Sequence, residues 1–228
     1  SGGSGSVSEL NNLTDVKKAD FSLYVGTTPT ATSNFNVSLG INALDSINQS
    51  SANNTAIGYD SLTNNSSGSS NTAVGYKSLG KCTIGYNNNA LGYESLRDCT
   101  EGHSNVALGR HAIKEVTTGD YNIGIGRGSG SVLTTGSNNI AFGYKPLYSN
   151  TTGTQNAASG YYALYSNTTG SRNNAYGYYA LSSNTTGDDN SAYGRNALKT
   201  NTTGIRNSAF GNESLYSNTT GQYNTALG

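Results

Sequence analysis

NTAIGY (54–59), NTAVGY (71–76) and NNALGY (88–93) stand 17 residues apart, and the same reading recurs to the end of the chain. Asn opens each copy, at Asn36, Asn54, Asn71, Asn88, Asn105, Asn122, Asn139, Asn156, Asn173, Asn190, Asn207 and Asn224. Only the copy from Asn36 holds one extra residue. A unit this short cannot bury a core alone, so each copy is expected to be one coil of a solenoid that buries its interior against its neighbours. The expected fold class is all-β: a β-solenoid, or flattened roll, of eleven 17-residue coils and a partial twelfth over residues 36–228.

Numbering each copy from its Asn turns the chain into columns stacked along the solenoid axis. Position 5 is Gly in every copy, and position 15 is Gly from Gly68 to Gly221, with Ser50 standing there in the first copy. Two glycines per coil mark corners that need positive φ or close backbone approach, with a strand-length stretch between each pair of corners. Position 3 is Ala in most copies and position 9 is Leu or Ile in most, small facing large as a narrow interior requires. If position 3 points inward, position 4 points outward, because side chains alternate along a strand.

Position 4 reads Leu39, Ile57, Val74, Leu91, Leu108, Ile125, Phe142, Ser159, Tyr176, Tyr193, Phe210 and Leu227. An outward apolar column of that length is avoided by soluble monomers. Association of identical chains along this face, parallel and in register as a cyclic homo-oligomer, removes the exposure. The alternative is that this column is interior and the Ala column faces out.

Positions 12 to 14 read Asn-Thr-Thr from Asn150, Asn167, Asn184, Asn201 and Asn218. One reading is a turn whose Asn bonds its own backbone and stacks on its counterparts. Others are a glycosylation acceptor or a flat ice-binding Thr surface, a pattern that Cys82, Cys99 and Val116 interrupt. Cys82 and Cys99, the only cysteines, share position 12 of consecutive coils. They read either as stacked free thiols or as a possible disulfide, since a coil step of about 4.8 Å suits the geometry.

Tyrosine is abundant at 17 residues. The segment densest in it supplies Tyr144, Tyr148, Tyr161, Tyr162, Tyr165, Tyr178 and Tyr179, which read either as ordinary β-surface cover or as candidate receptor contacts on an amphipathic aromatic strip. The coil from Asn122 is expected to be loosely packed or bent, because Gly124 and Gly130 replace its core Ala and Leu.

Composition narrows the function. Charged residues make up 11 % and net charge is zero, and the basic residues are expected to form no stripe or cluster, so neither nucleic acid nor an anionic membrane is an expected partner. No apolar run approaches the roughly 18 residues of a membrane span. No His shares the Cys column, so no metal site, cofactor or catalytic residue is expected. Asp188 and Asp189 are neighbours in an outer turn, unlike the carboxylates that face each other across a glycosidase cleft. The chain is not expected to be an enzyme. Residues 1–6 (SGGSGS) read as an appended linker, and the stop five residues into a repeat reads as a fragment of a longer protein. Residues 7–35 form an N-terminal capping or attachment segment, with Leu13, Val16, Phe21, Leu23 and Val25 expected to plug the open end.

The NTAIGY, NTAVGY and NNALGY cores resemble the head repeats of trimeric autotransporter adhesins, and the NTTG spacing resembles repeats in phage tail fibres and large-virus surface fibres. The resemblance spans 36–228. It implies a left-handed parallel β-roll assembled as a parallel homotrimer, with the position 4 column as trimer interface. It also implies a place on a virion surface or outside the cell, and attachment to a host surface glycan or protein receptor. The adhesin head repeat is shorter, so the extra residues around NTTG are expected to form a larger outer turn. The expected function is a non-catalytic fibre segment for host attachment by a virus or phage. A purely structural shaft, a bacterial adhesin head and, remotely, an ice-binding protein are the alternatives.

Overall fold

The computed structural model describes residues 35–47 and 51–228, together with the backbone of 23–25. It is a parallel β-solenoid with one sheet. Strand β2 (Val37–Leu39) is followed by one three-residue strand per coil, ending with β13 (Thr225–Leu227). Each pairs in parallel register with the coils before and after it, so that Ala175, for example, lies opposite Ala158 and Ala192. Strand β1 (Leu23–Val25) runs antiparallel to β2 and occupies its outer edge. Leu13, Val16 and Phe21, expected to help cap this end, lie outside the described residues.

Two strands per coil were expected from the glycine spacing, and only one forms, at positions 2 to 4. The reason lies in the backbone. Positions 7, 9 and 17 adopt positive φ near +55° in coil after coil, as at Tyr179, Leu181 and Asp189. Left-handed residues cannot extend a strand, so the rest of each coil is turns. Those turns still bond coil to coil: the Leu181 N–H donates to the Ala197 carbonyl, and the Thr185 N–H to the Thr202 carbonyl.

The two glycine columns have different causes. Gly177 has φ +146°, and a Cβ there would meet the Gly194 carbonyl oxygen at 2.3 Å. Gly187, at position 15, keeps an ordinary φ but would place a Cβ 2.3 Å from the Gly204 oxygen. Close approach alone fixes that column. In the first coil Ser51, rather than Ser50, takes this place, its hydroxyl donating to the Gly68 carbonyl at 2.6 Å.

Position 3 is buried in every coil but the last, while position 4 is exposed or half-buried in every coil, which overturns the alternative that Ala faces out. Leu at position 9 and Ala or Ser at position 8 complete the interior. The apolar core divides into two clusters, one ending at Leu133 and the other beginning at Ala141. The break lies beside the glycine-bearing coil from Asn122, around an internal cavity of about 10 Å³ lined in part by Ile113, Gly130, Leu133 and Leu147, room for one water at most. Gly124 is required there, because a Cβ would sit 2.4 Å from Ile113 Cγ1. Leu133, at position 12, supplies the bulk that Gly130 lacks.

Candidate functional site

Three features of this scaffold bear on function: a polar spine inside, an uncharged sheet face, and a turn face carrying aromatic and charged columns.

The spine is built by the Asn that opens each coil. From Asn54 to Asn207 these side chains are buried. Asn173 shows the pattern. Its Oδ1 accepts the Asn190 backbone N–H (3.0 Å) and Asn190 Nδ2 (3.1 Å), while its own Nδ2 donates to Asn156 Oδ1 and to the Gly187 carbonyl (2.8 Å). A second ladder runs at position 12, where Asn184 Nδ2 donates to Asn167 Oδ1 (2.9 Å) and to the Gly187 carbonyl (2.9 Å). Asparagine suits both because one side chain carries donor and acceptor. The position 12 Asn therefore points inward, so Asn150, Asn167, Asn184 and Asn201, all fully buried, have no room for a glycan. The Thr that follows is tied as well, the Thr185 hydroxyl donating to the Thr202 carbonyl (3.1 Å).

Cys82 and Cys99 stand in this second column as buried free thiols, each S–H directed at a Gly carbonyl of its own coil. The hydrogen bond with Cys82, then burial, pushes the Cys99 thiol far above its usual range, which makes it inert as a nucleophile. The substitution of Asn by Cys leaves a trace. Asn65 Oδ1, which would accept from an Asn at residue 82, has no partner among the described residues.

On the sheet face, positions 2 and 4 point outward. None of these 24 positions, from Val37 to Leu227, carries a charged residue. Every charged residue from Asn36 onward falls at positions 6, 7, 10, 11, 14, 16 or 17, on the turns. Position 4 includes Phe142, Leu91, Leu108 and Tyr176, each more than 40 % exposed, and Tyr176, Tyr193 and Phe210 stack at 5.0 and 5.2 Å. Position 2 joins the apolar surface at Val106, Ile123 and Ile140, which widens it in the middle of the roll.

The turn face collects the tyrosines. Tyr144, Tyr161 and Tyr178 form a column stacked at 5.1 and 5.2 Å. Tyr162 meets Tyr161 and Tyr165 edge-on, Tyr148 stacks on Tyr165, and Tyr179 packs on Tyr178. All seven candidate contact residues thus join one aromatic cluster. Mutual crowding, chiefly desolvation, raises the phenols of Tyr161, Tyr162 and Tyr179. The column rings face one another along the axis, so edges and hydroxyls, rather than ring faces, meet solvent. Flat stacking of a sugar on Tyr161 is thereby blocked.

Nearer the first coils lies an ion-pair network. Glu94 takes Arg97, Lys114 and His111, and Asp98 takes Arg97 and Lys81. Burial, then Lys114, lowers the His111 pKa despite Glu94. Asp188 and Asp189 are held by Arg172, with Nε 2.6 Å from Asp189. Among the described residues no cluster of His, Cys, Asp and Glu could hold a metal ion, and no helix is long and apolar enough to cross a membrane.

No protein-family model matches the chain, and neither a curated protein nor a solved structure matches it significantly.

Proposed function

We propose that this chain is a non-catalytic fibre segment, a left-handed roll that associates in parallel as a homotrimer through its sheet face and serves host-surface attachment from a virion or cell surface. The observation that carries the reading is the uncharged sheet face. An apolar stripe the length of the molecule, bordered by charged turns, belongs against another surface of the same pitch, and an identical chain offers that pitch. Eight of the position 4 side chains are 37–80 % exposed and offer on the order of 700 Å² per chain, close to the roughly 800 Å² per partner of a standard protein interface. The threefold number comes from the resemblance of the repeats to adhesin heads and viral fibres.

Light scattering on the intact protein tests it. The expected mass is three times the 23.6 kDa chain, and Leu108→Lys with Phe142→Lys is expected to return it to one chain. A single-chain mass for the unaltered protein contradicts the proposal. A second reading, a shaft that only spaces a receptor-binding tip, is favoured by the self-stacked tyrosine column, whose ring faces are already occupied. A three-chain protein that shows no binding to host cells supports the shaft, whereas cell binding that is lost on Tyr161→Ser with Tyr162→Ser, Tyr178→Ser and Tyr179→Ser supports attachment through the tyrosines.

A further inference from the structure

The basic residues were expected to form no stripe or cluster, but stacking of the 17-residue coils gathers three of them. Arg110 and Arg127 occupy position 6 of consecutive coils, and Lys145 follows at position 7 of the next. The backbone fixes the succession: the Gly128 N–H donates to the Arg110 carbonyl and the Lys145 N–H to the Arg127 carbonyl, each at 3.0 Å. Both guanidiniums are exposed. Among the described residues none of the three has a carboxylate within ion-pair reach, and neither do the isolated Lys77 and Lys199, whereas Lys81, Arg97, Lys114, Arg172, Arg195 and Arg206 all do. The nearby Glu94 is already held by Arg97, Lys114 and His111.

Like charges in neighbouring rungs repel, and elsewhere this column mostly carries tyrosine. The patch is also shaped. Arg110 lies over the Tyr93 ring at 5.5 Å and Arg127 over Tyr144 at 5.8 Å, so an aromatic ring closes each end. Lys145 lies over Tyr148 at 4.8 Å. Gly128 makes room for this, since a Cβ there would crowd Lys145 Cγ at 3.1 Å.

We infer that the Arg110–Arg127–Lys145 patch binds a sulfated polysaccharide of the cell surface, the chain lying along the solenoid axis. A linear ligand with anionic groups at intervals meets several cations at once, and its hydroxyls find the outward tyrosine hydroxyls on either side. The exposed, shallow site has no walls to hold a small anion. A single-stranded nucleic acid would need free aromatic faces for its bases, and those of Tyr93 and Tyr144 are covered by guanidinium. The inference rests on the attachment reading above for the origin of the glycan, and it names the ligand class.

The test is surface plasmon resonance on immobilised heparin, with desulfated heparin, inorganic sulfate as competitor, and duplex DNA as comparison probes. The intact protein is expected to bind heparin in a salt-sensitive manner, to ignore the desulfated chain, and to bind DNA more weakly. Inorganic sulfate at the same sulfate concentration is expected not to displace it. Arg110→Gln, Arg127→Gln and Lys145→Gln together are expected to weaken binding at least tenfold, while Arg172→Gln with Arg206→Gln, at residues that already face Asp189, leaves it within twofold. No binding by the intact protein, equal binding by the triple variant, DNA bound as tightly as heparin, or displacement by free sulfate would each overturn the inference. Light scattering on the same samples separates the two readings. A three-chain mass without heparin binding sinks the patch alone, whereas a single-chain mass sinks the fibre and leaves the heparin result to judge the patch.

Discussion

Replacing Asn173 by Val tests the interior spine at nearly constant volume. The substitution removes four hydrogen bonds, but most partners keep another. Asn190 Nδ2 retains the Gly204 carbonyl, the Gly187 carbonyl retains Asn184 Nδ2, and Asn156 Oδ1 retains the backbone N–H of residue 173. The Asn190 backbone N–H alone is stripped of its acceptor while buried. An orphaned buried donor costs about 1–3 kcal/mol, and with three weakened contacts the expected loss is about 3 kcal/mol. Asn184→Val in the second ladder orphans only Asn167 Oδ1, and Val116 already occupies that column, so the expected cost is about 1 kcal/mol. Denaturant unfolding of both variants, with amide exchange read at residue 190, decides the matter. The Asn190 amide should exchange roughly 100-fold faster in Asn173→Val, since each 1.4 kcal/mol is tenfold. Equal costs for the two substitutions, or unchanged protection at Asn190, would refute the reasoning.

Other outcomes follow from single contacts. Gly124→Ala drives a Cβ into Ile113 and should cost about 2 kcal/mol; adding Ile113→Leu, the residue most other coils use, should recover at least half, which a double-mutant cycle measures. Gly177→Ala forces a strained φ and meets backbone that cannot give way, so it should abolish cooperative folding by circular dichroism. Cys82 and Cys99 should be silent to a thiol reagent in the native protein and both react in denaturant. The lowered His111 pKa means that the unfolded chain takes its proton first as pH falls. Stability should therefore drop as pH falls below about 6.5 and level off once the folded histidine is protonated, and His111→Gln should remove that step from a pH series of unfolding midpoints.

Much of the architecture was legible because the period is fixed. The Ala at position 3 and the apolar residue at position 4 sort themselves to opposite faces by strand alternation alone. The Asn that opens each coil was legible only as a register mark. Its signal was present, since a residue invariant beside an inward Ala and never exchanged for Asp or Ser must both donate and accept. Position 12 likewise disclosed its burial through Cys82, Cys99, Val116 and Leu133, apolar substitutes for Asn that an outer turn would not need. The second strand failed for a reason the residues do not advertise. Leu181 in a left-handed conformation looks no different in sequence from Leu in a strand, because its coil neighbours, rather than its own propensity, hold it there. The basic patch was hidden for a simpler reason: Arg110, Arg127 and Lys145 become neighbours only when the coils stack.

Parallel, in-register contact through the sheet face is the central claim, and site-specific cross-linking tests it most directly. Ser159→Cys places a small thiol in the position 4 column, and the native cysteines are buried. A short bis-maleimide should then join chains covalently through residue 159, while Thr118→Cys, on an outer turn, should leave them single. Chains that stay single in Ser159→Cys, or that join only through Thr118→Cys, would contradict the account.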